Sequence, residues 1–272
     1  MKTRIIVAAV AVPVLFVVLF FLKPIFLALL TAIICAVAAY EFTKAVCPDV
    51  NIWMKVYAMV CAAAIPLVCL TPYSFALTRG VLVLLMLGLF FEGIWSFGKE
   101  NAVSFESIAA CLFAGFIYPL MMSSLVTLKT MEHGKLFVLL PVVVTFCCDS
   151  GAYFVGMFMG KHRTTAVSPK KSVEGYIGGI ISGIVYMLIY GGIVAIFSDV
   201  TVRFLPLVVY GILGSAAVEI GDLAYSLIKR QKGIKDYGNL IPGHGGMLDR
   251  FDSMSFSAPL ICALAAVFPV FI

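Results

Sequence analysis

The chain has 272 residues, of which 62% are apolar and 12% charged, with 19 Lys+Arg against 14 Asp+Glu and a formal net charge of +5. A water-soluble domain carries roughly 25% charged residues, so this composition excludes a secreted disulfide scaffold, a disordered tail protein and an ordinary cytosolic enzyme. It describes an integral membrane protein and leaves catalysis open.

The apolar residues fall into runs of the length a bilayer requires, about 20 helical residues for a roughly 30 Å hydrocarbon core. Nine spans are predicted, at Ile5–Leu22, Ile25–Phe42, Val56–Leu77, Val81–Phe97, Phe105–Leu128, Leu136–Met159, Tyr176–Phe197, Phe204–Ile228 and Met254–Ile272. The runs are continuously apolar, with no alternation, which favours helices over barrel strands. The first run ends at Lys23-Pro24 without a small-residue cleavage site and is therefore read as a helix, not a signal peptide. The expected fold class is an all-α polytopic membrane protein of about nine helices with no soluble domain. It divides into N-terminal helices over 1–144 and a region over 145–272 whose loops 160–175 and 229–253 carry chemistry.

With these spans, fourteen of the nineteen lysines and arginines fall on the side of the N-terminus. The positive-inside rule then places the N-terminus and both polar loops in the cytoplasm and the C-terminus outside, in a cell membrane. Seven of the eight cysteines lie in or at apolar runs, none in a C-x-x-C pair, and read as small buried residues; Cys47 is the loop cysteine.

Polar residues concentrate in the second half, in three constellations. Asp149 is the only charged residue between Lys135 and Lys161, followed at helical spacing by Tyr153, Gly156 and Gly160. A carboxylate in hydrocarbon is costly and is expected to face a polar cavity or a partner, whereas the two glycines suit helix packing. The second constellation is the basic loop holding Ser168, Pro169, Lys170, Lys171, Ser172 and Glu174, where hydroxyl and ammonium donors suit a polyphosphate. Basic loops also serve topology alone.

The third begins with Glu219 and Asp222 on one helix face, continued by Ser226 and Lys229. It runs through Arg230, Lys235, Asp236, Gly243, His244, Gly245 and Gly246 to Asp249, Arg250 and Asp252. Carboxylates interleaved with basic residues beside a glycine-rich turn suit a metal-bound polyphosphate, since Mg²⁺ takes one or two protein carboxylates plus phosphate oxygens. The spacing is not that of a Walker A loop.

The segment from Ser226 to Ser253, with Lys229-Arg230, Lys235-Asp236, Pro242-Gly-His-Gly-Gly246, Asp249-Arg250 and Asp252-Ser253, resembles the signature of the bacterial phosphatidate cytidylyltransferases, or CDP-diacylglycerol synthases. Asp149-Ser-Gly-Ala-Tyr153 and Ser168-Pro-Lys-Lys171-Ser-x-Glu174-Gly175 resemble two further motifs of that family. The specific likeness covers roughly Thr145 to Ser257.

That resemblance implies a nucleotidyltransferase of phospholipid biosynthesis. CTP and phosphatidic acid would give CDP-diacylglycerol and pyrophosphate with Mg²⁺ as cofactor, a second cation staying open. Under it, Asp222 and Asp249 are the first candidates for metal ligands, with Asp149, Asp236 and Asp252 behind them. Ser168, Lys170, Lys171, Lys229, Arg230, Lys235 and Arg250 form a phosphate clamp, His244 orients a phosphate, and Glu219 supports the ligands from behind. Tyr153, Ser226, Gly243, Gly245 and Gly246 complete the nucleotide contacts. The partners are CTP, phosphatidic acid and the bilayer, with no nucleic acid, and self-association stays open. A CTP-dependent kinase of a lipid alcohol, or a transporter built on the intramembrane carboxylates, are the competing readings.

Overall fold

The computed structural model describes residues 13–240 and 245–272. Most of the predicted first span lies outside this range, and residues 13–20 of it are helical. Eight further helical segments follow: α1 (Pro24–Val46), α2 (Ile52–Val68), α3 (Ser74–Ser96), α4 (Phe105–Thr130), α5 (Gly134–Met159), α6 (Val173–Phe197), α7 (Phe204–Gln231) and α8 (Leu248–Val267). Six of them are long and apolar enough to cross a membrane, namely α1 and α3 to α7. The protein is thus an all-α polytopic membrane protein, and among the described residues the only β pairing is two isolated bridges.

Local chemistry sets the helix ends. Pro24 occupies the first turn of α1, where its missing N–H costs nothing. Asn51, Ser104 and Ser172 cap helix starts with their side chains, accepting from the backbone N–H groups of Met54, Ser107 and Gly175. The third span differs from its prediction: α2 starts earlier, at the Asn51 cap, and stops at Val68, because Thr71-Pro72 turns the chain. Within α4, residues Phe113–Ile117 form a π-turn. Pro119 follows it by two residues; having no N–H and crowding the carbonyl four residues back, it explains the widened turn. The last helix begins six residues before the predicted Met254 and ends at Val267.

The chain forms two compact units, Met1–Thr127 with Gln231–Phe251, and Leu128–Arg230 with Asp252–Ile272. In the first, α2 packs against α1, α3 and α4, around a cluster of Cys47, Val50, Met54, Leu85, Leu89, Ile108 and Cys111. Cys47 therefore contributes to a core even though it lies just past a helix end. The segment 231–251 joins this unit through α1, where Phe42 stacks on Tyr237 at 5.7 Å.

In the second unit α5 and α6 lie close along small residues. A Cβ added at Gly156 would lie 3.6 Å from the Cα of Gly175, so the two helices approach closely at that glycine. Thr145 and Ser257 share a hydrogen bond of 2.9 Å, and Tyr225 meets Phe256 edge-on, so α5, α7 and α8 converge in the same core. One end of this unit carries the 160–172 loop and the C-terminus of α7, joined where Arg230 Nε donates to the Val167 carbonyl at 3.4 Å. The chain's C-terminus instead pairs with the α6–α7 connection, Arg203 N–H donating to Val270 and Ile272 N–H to Thr201.

Candidate functional site

In the second unit, the basic loop folds into a closed turn before α6. Val173 N–H donates to the His162 carbonyl at 2.9 Å, Lys171 N–H to Ser168, and the Arg163 guanidinium to the Lys170 carbonyl at 2.7 Å. Glu174 fastens the other strand of the turn, its carboxylate accepting from the N–H groups of Lys161 and His162 and meeting the His162 ring at 2.5 Å. This frame sends the two adjacent lysines different ways. Lys170 is exposed, whereas Lys171 turns inward, half-buried, into an ion pair with Asp222 and over the Tyr176 ring at 5.6 Å.

Around that pair the second unit gathers further charge. Asp149 and Glu219 are electrostatic neighbours of Lys171. Asp252 is buried, with Asp222, Asp149 and Lys229 about it, and its Oδ1 accepts the Ser253 N–H at 2.7 Å. Burial alone would lower the Lys171 ammonium, but the carboxylate of Asp222, helped by Asp149, more than offsets it and holds Lys171 above its ordinary range. The Asp149 helix and the basic loop therefore both meet the α7 part of the third constellation, at Asp222.

The rest of the third constellation, within 231–251, is organised in the first unit by hydrogen bonds to backbone amides. Asp249 is buried, and its Oδ2 accepts from the N–H of Tyr237 at 2.9 Å and of Gly246 at 3.1 Å. Gly245 sits at φ +84°, a conformation that favours glycine, with Asp236 Oδ1 and Asp249 Oδ2 beside it. Leu248, the first residue of α8, donates its N–H to Glu41 Oε2 at 3.0 Å. The amide of Gly246, in the glycine turn expected to contact the nucleotide, is thus taken by a carboxylate of the chain itself.

Other sequence candidates lie apart from these groups. Lys235 and Arg250 are exposed. Tyr153 is 64% exposed and meets Phe154 edge-on. Ser226 lies one turn after Asp222 on α7, half-buried. Gly243 and His244 fall outside the described residues.

Glu41 is what the sequence reading missed, having treated everything before Thr145 as plain membrane helix. The available signal was the one applied to Asp149: Glu41 is the only charged residue between Lys23 and Lys44.

Among the described residues no three His, Cys, Asp or Glu side chains are grouped to hold a metal by themselves. In the second unit, however, Asp149, Glu219, Asp222 and Asp252 stand near Lys171 and Lys229, and carboxylates are the protein ligands that Mg²⁺ takes beside phosphate and water.

The phosphatidate cytidylyltransferase of Staphylococcus saprophyticus is 36% identical over 170 residues, 60% of this chain and 61% of the relative. That of Bacillus subtilis is 32% identical over 171 residues, 62% of each, and that of Staphylococcus aureus 34% identical over 170. The aligned region spans about 61% of the length of these relatives. The family model described as "Cytidylyltransferase family" matches residues 2–268, including the N-terminal helices that the sequence motifs left unassigned, and the chain belongs to that family.

Proposed function

We propose that the protein is a phosphatidate cytidylyltransferase, converting CTP and phosphatidic acid to CDP-diacylglycerol and pyrophosphate. The observation that carries the reading is the inward Lys171–Asp222 pair, set among Asp149, Glu219, Asp252 and Lys229 at a helix-bundle end. Relatives bearing that name, about a third identical, support the choice of lipid phosphate. The polar loops face the cytoplasm and the membrane is the cell membrane, in keeping with the distribution of basic residues.

The reaction asks little proton chemistry of the protein. A phosphatidate oxygen, already ionised near neutral pH, attacks the α-phosphorus of CTP; the new P–O bond forms as the α–β bridging bond breaks, and pyrophosphate leaves with that electron pair. Lys171 and Lys229 neutralise phosphate charge, and Asp222 holds the Lys171 ammonium in place. Asp222, with Asp149 and Asp252 nearby, would hold Mg²⁺, Asp249 and Asp236 being the further candidates. When bound, the ion polarises phosphate oxygens. A site at a bundle end lets the acyl chains stay in hydrocarbon, which they leave only at about 0.8 kcal/mol per CH₂.

The test is purified protein in mixed micelles with α-³²P-CTP and Mg²⁺. Labelled CDP-diacylglycerol and pyrophosphate are expected with phosphatidic acid. Formation of CDP with a lipid alcohol, and none with phosphatidic acid, would replace the reading with that of a lipid kinase.

A further inference from the structure

We infer that Glu41, on the first fully described helix, is a positioning residue that sets the start of α8 and so aims Asp249; the catalytic part of this inference rests on the proposed cytidylyl transfer. Glu41 is 5% exposed near the C-terminal end of α1. Its Oε2 accepts the N–H of Leu248, the residue immediately before Asp249 and the first of α8. First-turn amides have no partner within their own helix, so a carboxylate from another element decides where that helix begins and how its first side chains point.

Gly238 and Gly246 lie against this side chain. A Cβ at Gly238 or at Gly246 would overlap the Glu41 carboxylate, so both backbones approach it more closely than any other residue type permits. The next residue, Phe42, stacks on Tyr237 at 5.7 Å and meets Phe113 of the π-turn at a tilt, with ring centroids 5.1 Å apart. Tyr237 in turn donates its N–H to Asp249. Consecutive residues of α1 thus hold both ends of the segment that carries Asp236, Gly245 and Asp249.

Stability alone does not explain a carboxylate here. Glu41 Oε1 is buried with no hydrogen-bond partner among the described residues, a destabilising arrangement for a carboxylate. Such a group persists where placement of its neighbours matters more than its own cost.

The test uses the full chain in detergent, as wild type and as Glu41→Ala, Glu41→Gln and Glu41→Asp, with amide hydrogen exchange of residues 236–249 read beside kcat and KM for CTP. Glu41→Ala should expose the Leu248 region to exchange and lower kcat about tenfold or more, with KM for CTP changing far less. Glu41→Gln keeps an oxygen that reaches Leu248 and should restore protection and most of kcat. Should Glu41→Ala not fold, Glu41→Asp decides, since it keeps the charge but loses a methylene of reach and should behave as the alanine variant does. Wild-type protection and kcat in Glu41→Ala or Glu41→Asp would overturn the inference. So would a protected but inactive Glu41→Gln, which would make the charge itself the active element. If wild type transfers no cytidylyl group to phosphatidic acid, the proposed function fails, while the exchange difference still decides whether Glu41 positions α8.

Discussion

Asp222 and Asp249 belong to the same sequence constellation, yet the two units put them to opposite uses. Asp222 meets the Lys171 ammonium in a half-buried ion pair, with Asp149 and Asp252 close by. Asp249 meets backbone, holding the N–H groups of Tyr237 and Gly246, while Glu41 holds that of Leu248. A carboxylate paired with a flexible lysine can exchange that partner for a cation or a phosphate-bound metal. A carboxylate accepting two amides is fixed in direction by them. Charge pattern in a sequence does not distinguish these uses, whereas the hydrogen-bond partners do.

The largest expected effect tests the flexible side. Asp222→Asn should lower kcat by about a hundredfold or more, because the amide neither holds Mg²⁺ nor offsets the charge of Lys171. The protein should stay folded in detergent. Substantial turnover with unchanged Mg²⁺ dependence would remove Asp222 from the metal assignment.

The rigid side predicts a separable pair of outcomes at Asp249. Asp249→Asn keeps an acceptor for the two amides, so turnover should be lost with little change in thermal stability. Asp249→Ala strands both buried N–H groups and should lose turnover and also about 1–3 kcal/mol of stability, read as a lower Tm or denaturant midpoint. Equal stability in the two variants would mean that the turn does not depend on this carboxylate.

A third effect separates the two lysines of the loop. Lys171→Gln breaks the pair with Asp222, whereas Lys170→Gln alters an exposed side chain whose backbone stays tied to Arg163. The loss in kcat/KM for CTP should be about tenfold greater at Lys171 than at Lys170, with Lys161→Gln smaller still. Equal losses at all three would leave the loop acting through bulk charge alone.

The helices were legible because hydrocarbon imposes length and continuity. Ile25–Phe42, Phe105–Leu128, Tyr176–Phe197 and Phe204–Ile228 each match an observed helix to within a few residues. Boundaries moved where a polar cap or a proline outweighed hydropathy, as at Asn51 for α2 and at Leu248 for α8. The charged groups were legible as types but not as partnerships. Adjacent Lys170 and Lys171 read as equivalent until the closed turn sent one outward, and Glu41 was passed over because its partner, Leu248, lies 207 residues away. Isolated charge in an apolar run is the transferable signal, though it does not assign a role: Glu92, equally isolated in α3, accepts a hydrogen bond from Asn51 at 2.6 Å and braces the start of α2.

The smallest effect concerns pH and the persistence of the flexible pair. Lys171 is held above its ordinary pKa chiefly by Asp222, which offsets the opposing effect of burial. A raised folded value means that the pairing stabilises the fold fully below the unfolded lysine pKa of about 10.4, and that this contribution is lost as pH rises through the folded value. The stability difference between wild type and Lys171→Met should therefore stay level from about pH 7 to about pH 9 and shrink only above about pH 10. A difference that faded between pH 7 and 9 would show that Lys171 titrates within the working range of the protein. The alkaline limb of the rate profile would then belong to this ammonium, and Asp222 would stand unneutralised at the pH where phosphate must approach it.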